Sequence, residues 1–142
     1  MRIVLFIFLI CSSCNSQENK LEGIIGSWYP VFEKDHSEIY FEVYIGTNYI
    51  YYFVDSGMLP RKKVVIDDGL LFIENKQSQE LEEKGKIYVS NNQLIIDRSG
   101  ERTVFAKLNS NVTLEDIWNE QAGPESYRVS YANREYIWKK EE

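Results

Sequence analysis

Only two cysteines occur among the 142 residues, Cys11 and Cys14, and both lie in the opening segment. From Asn15 onward there is no thiol, which excludes disulfides, thiolate metal sites and cysteine nucleophiles from that part of the chain. Histidine is equally scarce. His36, the single one, sits between Asp35 and Ser37 in a charged stretch that reads as a solvated loop, whereas a Ser-His-Asp arrangement needs its histidine beside a buried serine. Positive charge is in deficit, 16 Lys and Arg against 22 Asp and Glu for a net of −6, and this balance repels nucleic-acid phosphates. For metals the chain offers carboxylates, chiefly Asp67-Asp68 and Glu80, Glu82 and Glu83. These lack the spacing of a calcium loop and read as a hairpin turn and a solvated loop. No metal and no cofactor is expected, and no carboxylate pair stands out for hydrolysis.

Long apolar runs are missing as well. Residues 3–10 form the only one, too short for a hydrocarbon core of ~30 Å, which takes roughly 20 helical residues. With Arg2 before it and small Ser12 and Ser13 just before Cys14, it reads as a signal peptide ending in a lipid-attachment site. Residues 1–17 resemble the lipoprotein signals of Bacteroidetes, with Cys14 in the place of the lipidated cysteine and Cys11 where such signals usually carry Leu. The resemblance implies loss of residues 1–13, diacylglyceryl on the Cys14 sulfur, a fatty acyl group such as palmitate on its new amino terminus, and a tether over 14–22. It also implies an envelope membrane as partner, the outer membrane by preference, with the domain in the periplasm or at the cell surface. Several acyl chains anchor stably where one is marginal, since each buried methylene contributes about 0.8 kcal/mol.

Residues 23–142 read as one domain, long enough to bury one core. Aromatics are plentiful at 14%, which favours a packed β-rich fold. Gly26–Val31 opens it. Over residues 38–45 the alternation is strict, with Ile39, Phe41, Val43 and Ile45 on one face and Glu38, Tyr40, Glu42 and Tyr44 on the other. Gly46-Thr47-Asn48 turns this strand into Tyr49–Val54, with Ile50, Tyr52 and Val54 inside and Tyr49, Tyr51 and Phe53 outside. Turn signals at Asp55-Ser56-Gly57, Asp67-Asp68-Gly69, Asn91-Asn92 and Arg98-Ser99-Gly100 bound further strands over 61–66, 70–74, 86–90, 93–97 and 102–108, with 75–83 as a loop. After Leu108 the period changes. Thr113 caps a helix carrying Leu114, Ile117 and Trp118, Gly123-Pro124 interrupts, and a second helix from about 125 to 140 aligns Tyr127, Tyr131, Arg134 and Trp138. Tyr, Val and Ile in that last stretch also suit a strand.

Eight antiparallel strands either expose two edges or close, and closure removes the edges. The expected fold is therefore mainly β, a small antiparallel up-and-down barrel of about eight strands with C-terminal helical segments. Its outward stripe of Tyr40, Tyr44, Tyr49, Tyr51 and Phe53 needs a cover, and the aromatic face of the C-terminal segment is the expected one. The Gly26-Ser27-Trp28 triplet, the meander and the helix after the last strand resemble the lipocalins and lipocalin-like lipoproteins. The resemblance implies that Trp28 closes one barrel end with Arg102 packed across it, and that a ligand cavity is lined by residues such as Phe41, Tyr52, Val54 and Tyr88. Read from the residues alone, the apolar interior serves equally as packed core. Tyr52 discriminates, because a buried hydroxyl needs a partner and a ligand can supply one.

Three functions are in view. The first is a non-catalytic, membrane-anchored lipoprotein whose barrel binds a small apolar ligand or an envelope partner. The second is an interaction or immunity-type lipoprotein that uses an acidic and aromatic outer surface. The third is a carboxylate-dependent hydrolase.

Overall fold

A computed structural model describes residues 21–31 and 39–140, so the expectations for Cys14 and His36 lie outside the described residues. Among the described residues there are nine strands: β1 (Gly26–Val31), β2 (Glu42–Ile45), β3 (Tyr49–Val54), β4 (Gly57–Met58), β5 (Lys62–Asp67), β6 (Leu70–Glu74), β7 (Leu81–Ser90), β8 (Gln93–Arg98) and β9 (Glu101–Lys107). Two helices follow, α1 (Leu114–Trp118) and α2 (Pro124–Lys140). All pairings are antiparallel. Because β1 pairs with both β2 and β9, and β2 also pairs with β3, eight strands close into a barrel, with β4 a short addition to β3. This is the lipocalin-like barrel expected from the meander.

The tight turns explain the order of the strands. The pairs Asp67↔Leu70, Ser90↔Gln93 and Arg98↔Glu101 each leave two residues between them. Those residues, Asp68 and Gly69, Asn91 and Asn92, Ser99 and Gly100, all have positive φ. Such turns match the twist of the strands they join, which is why Asp-Gly and Asn-Asn pairs serve there. Between β4 and β5 stands Pro60, whose nitrogen cannot donate to a ladder, and the pairing to β3 lapses around it.

Alternation sorts the side chains into two clusters. Inside the barrel Trp28, Val43, Ile45, Ile50, Val64, Leu71, Ile87, Leu94 and Phe105 pack together, and Phe41 and Tyr52 join them. Leu71 and Leu94 are wholly buried, each one residue from a tight turn, so the barrel is packed with side chains at that end. Outside, Tyr40, Tyr51 and Phe53 pack against Leu114 of α1 and Tyr127 and Tyr131 of α2, which cover the aromatic stripe. Tyr49 stays partly exposed, with the Arg61 guanidinium 4.0 Å from its ring centroid.

α2 is a helix and not a strand. Pro124 starts it, Glu125 sits in its first turn, and Lys139 and Lys140 in its last, all favourable to the helix dipole. Tyr127, Tyr131, Arg134 and Trp138 then share one face at helical spacing, and that face has a barrel wall to lie on. α1 begins with a capping box: Thr113 Oγ1 accepts from the Asp116 N–H, and the Asp116 carboxylate accepts from the Thr113 N–H at 2.7 Å.

Four expectations are corrected. β2 starts at Glu42, and Ile39, expected inside, is 72% exposed. The expected loop over 75–83 ends early, because β7 begins at Leu81 and runs ten residues through a bulge opposite Leu71 and Phe72. Gly85 makes that bulge: its φ is +117°, and a Cβ there would lie 2.3 Å from the Asp97 carbonyl oxygen. β4 had no sequence signal, since two residues carry no period. Residues 21–24, in part assigned to the tether, form a helical turn whose Ile24 is buried in the core.

Candidate functional site

Antiparallel register gives the barrel two distinct ends. Trp28 lies near the start of β1, level with Val43 of β2 and Lys107 of β9, close to the turn at 46–48. This end is shut. The Trp28 indole is 1% exposed and donates from Nε1 to the Ile24 carbonyl at 2.9 Å. The cation over its ring is Lys107, with Nζ 4.3 Å from the centroid, in place of the expected Arg102. Register decides this, because Trp28 faces Lys107 directly while Arg102 pairs with Asp97 toward the opposite end, where it is exposed. Lys107 also donates to the Ile25 carbonyl at 3.3 Å, and partial burial holds its pKa below the usual lysine range. Glycine suits position 26, whose φ of +140° is a conformation that side chains with a Cβ rarely adopt. The Gly-x-Trp triplet thus serves the closure of the barrel.

The other end holds a cavity of about 240 Å³, lined by Tyr52, Leu59, Pro60, Lys62 and Lys76. Its place follows from the lapse at Pro60: the chain between β4 and β5 draws away from β3, leaving Tyr52 beside Leu59, whose N–H donates to the Tyr52 carbonyl at 2.9 Å. The Tyr52 ring stands 6.3 Å from that of Phe41, which in turn stands 6.3 Å from Phe105, so Tyr52 joins the cavity to an aromatic row of the core. Among the described residues the Tyr52 hydroxyl has no hydrogen-bond partner, and burial alone pushes its pKa up to about 12.

Of the residues expected to line a ligand cavity, Phe41 and Tyr52 come together at this end. Val54 is only half-buried, beyond the cavity, where it pairs with Gly57. Tyr88 is a correction: it lies on the outer face of β7, 39% exposed, because its neighbour Ile87 takes the inward position in the core. No family model, curated protein or solved structure matches this chain. The site is therefore argued from its own geometry.

A second polar centre lies outside the barrel and was missed. Glu42, read as an outward residue, is wholly buried under α2. Its Oε1 accepts from the Tyr40 hydroxyl at 2.6 Å and from Arg134 Nε at 2.7 Å. Its Oε2 accepts from the Tyr127 hydroxyl and from Arg134 Nη2 at 2.9 Å. Burial, then the bond to Glu42 and its charge, raise the Tyr40 pKa, and burial with the same carboxylate raises that of Tyr127. Burial pulls the Arg134 pKa down, but the Glu42 hydrogen bonds and charge outweigh it and the net shift is upward. A carboxylate has about four acceptor positions and here four donors fill them, so Glu42 has none left for a substrate. The signal was present in part, since Arg134 already shared a helix face with Tyr127 and Tyr131.

A cavity of about 260 Å³ adjoins this clamp, lined by Asn109, Ser110, Ser126, Tyr127, Ser130 and Arg134 among others. Its polar groups are largely engaged within the protein. Ser110 donates to the Val112 carbonyl, Ser126 to that of Gly123 at 3.0 Å, and Arg134 to Glu42. Among the described residues no group of three His, Cys, Asp or Glu is placed to hold a metal ion. No helix among them is long and apolar enough to cross a membrane.

Proposed function

We propose that this chain is a non-catalytic lipoprotein, anchored to an envelope membrane through Cys14, whose barrel takes a small apolar ligand at its open end. The observation that carries the reading is the Tyr52 hydroxyl, unpartnered among the described residues at a cavity of about 240 Å³. A packed interior and a shut Trp28 end leave that mouth as the place where a ligand gains apolar contact and a hydrogen bond together. The saturated Glu42 carboxylate supports a binding role over hydrolysis.

Native mass spectrometry of the full chain, released from its own membrane in detergent, tests the reading. A small molecule retained by the wild type and lost on Tyr52→Phe is the expected result. A bare mass from folded protein, in the presence of envelope extract, overturns it. An envelope-protein partner is the second reading, and its aromatic stripe is covered by α1 and α2. What favours it instead is the outer face of α2, where Val129, Tyr136 and Ile137 are each more than half exposed. Crosslinking in intact cells that is unchanged by Val129→Asp with Ile137→Asp would count against it.

A further inference from the structure

We infer that the open-end cavity is an anion site, which takes the carboxylate of a compact organic acid between the Lys62 and Lys76 ammonium groups, with the Tyr52 hydroxyl donating to the same group. The inference rests on the ligand-binding reading above and adds the head group.

The first ground is the position of Lys62. Residues two apart on a strand share a face, and Lys62 shares one with Val64 and Ile66, both packed in the barrel interior. Its partner across the ladder is Ile50, also interior. A lysine on the inner face of a barrel is costly unless its ammonium meets water or an anion, and only the mouth offers either.

The second ground is that no acid among the described residues answers these charges. Among the described residues neither Lys62 nor Lys76 has an ion pair or hydrogen bond. Of the carboxylates near Lys76 in sequence, Glu74 and Glu82 bond elsewhere, and Glu80 makes no ion pair with either lysine. Glu74 accepts from the Lys63 N–H at 3.4 Å, and Glu82 accepts from Asn75 and, at 2.7 Å, from Lys84, bonds that hold its pKa below the usual carboxylate range. Two lysines and a tyrosine whose hydroxyl has no partner among the described residues therefore line one cavity. A carboxylate, acceptor-only with two oxygens, is complementary to that set of donors.

The third ground is the rest of the lining and its size. Leu59 and Pro60 form an apolar wall, so the ligand carries an apolar stem as well as a charge. At about 240 Å³ the space is smaller than pockets for drug-sized ligands, which start near ~300 Å³. The acid is short, or presents only its head and first carbons.

The test is isothermal titration of the full chain in detergent with hexanoate, with hexanol as the neutral stem and inorganic phosphate as the bare anion. The expected result is one-to-one binding of hexanoate at least tenfold tighter than either control, weakening as salt is raised. Lys62→Gln with Lys76→Gln removes tenfold or more of that affinity and leaves hexanol unchanged. Lys62→Arg with Lys76→Arg restores hexanoate binding, which separates lost charge from lost fold, and Tyr52→Phe weakens it several-fold. Hexanol binding as tightly as hexanoate, phosphate matching it, or glutamine variants with unchanged affinity would each overturn the assignment. If hexanoate fails while mass spectrometry recovers a neutral compound, only the head group is wrong. If neither binds and no compound is recovered, the ligand-binding reading falls with it.

Discussion

Arg134→Ala breaks the clamp between α2 and the barrel at its most buried point. The guanidinium supplies two of the four donors to a carboxylate with no solvent exposure, so its loss leaves Glu42 held by Tyr40 and Tyr127 alone. Removing one partner of a buried ion pair costs about 3–5 kcal/mol, because the remaining charge stays out of water. Arg134 itself keeps 25% of its side-chain exposure, which places the expected loss near the lower end. For a chain of this length 1 kcal/mol corresponds to roughly 3–5 °C in melting temperature, so a drop of about 10–15 °C is expected. Far-ultraviolet circular dichroism on heating reads the melt, and near-ultraviolet dichroism reads the aromatic layer under α2. Adding Glu42→Gln discriminates the cause. The neutral amide accepts from one tyrosine through its oxygen and donates to the other hydroxyl through its NH2, and it no longer buries a charge, so the double variant should melt above Arg134→Ala. Melting of Arg134→Ala within 3 °C of the wild type, or a double variant no better than the single, would refute the argument.

Gly85→Ala should destabilise by about 2 kcal/mol or more, as a strained φ and a clash with the Asp97 carbonyl act together; a shift in the urea midpoint checks it, and an unchanged midpoint would mean the bulge relaxes freely. Thr113→Ala removes one half of the α1 capping box and should cost about 1 kcal/mol, read the same way. Alkaline pH gives a third result. Burial raises the pKa of Tyr44 and Tyr52 to about 12, and that of Tyr40, Tyr127 and Tyr131 as well. A raised folded pKa means the fold holds protons the unfolded chain releases near pH ~10. That stability is whole below the unfolded value and is lost as pH rises from there through the folded values. Urea midpoints should therefore be level from pH 8 to 9.5 and fall steeply above pH ~10; a flat profile to pH 11.5 would contradict the burial of these hydroxyls.

Local chemistry determined a large share of this protein. Strand alternation, with Asp-Gly and Asn-Asn at the hairpins, marked the meander from sequence, since facing and turn type are set within a few residues. Thr113 marked the first helix for the same reason, and Tyr52 stood out as the interior residue with an unmet need. The tertiary structure decided whatever depends on which distant strands meet. Arg134 finds Glu42 across 92 residues, turning an outward glutamate into a buried one, and no local pattern distinguishes a covered outer face from a wet one. Register around the closed barrel set Lys107 and not Arg102 over Trp28. A barrel wall for Tyr127 and Tyr131 settled helix against strand in the last segment, where local preference was divided. The lapse in pairing at Pro60 opened the mouth beside Lys62 and Lys76, which no local pattern sets apart from other lysines.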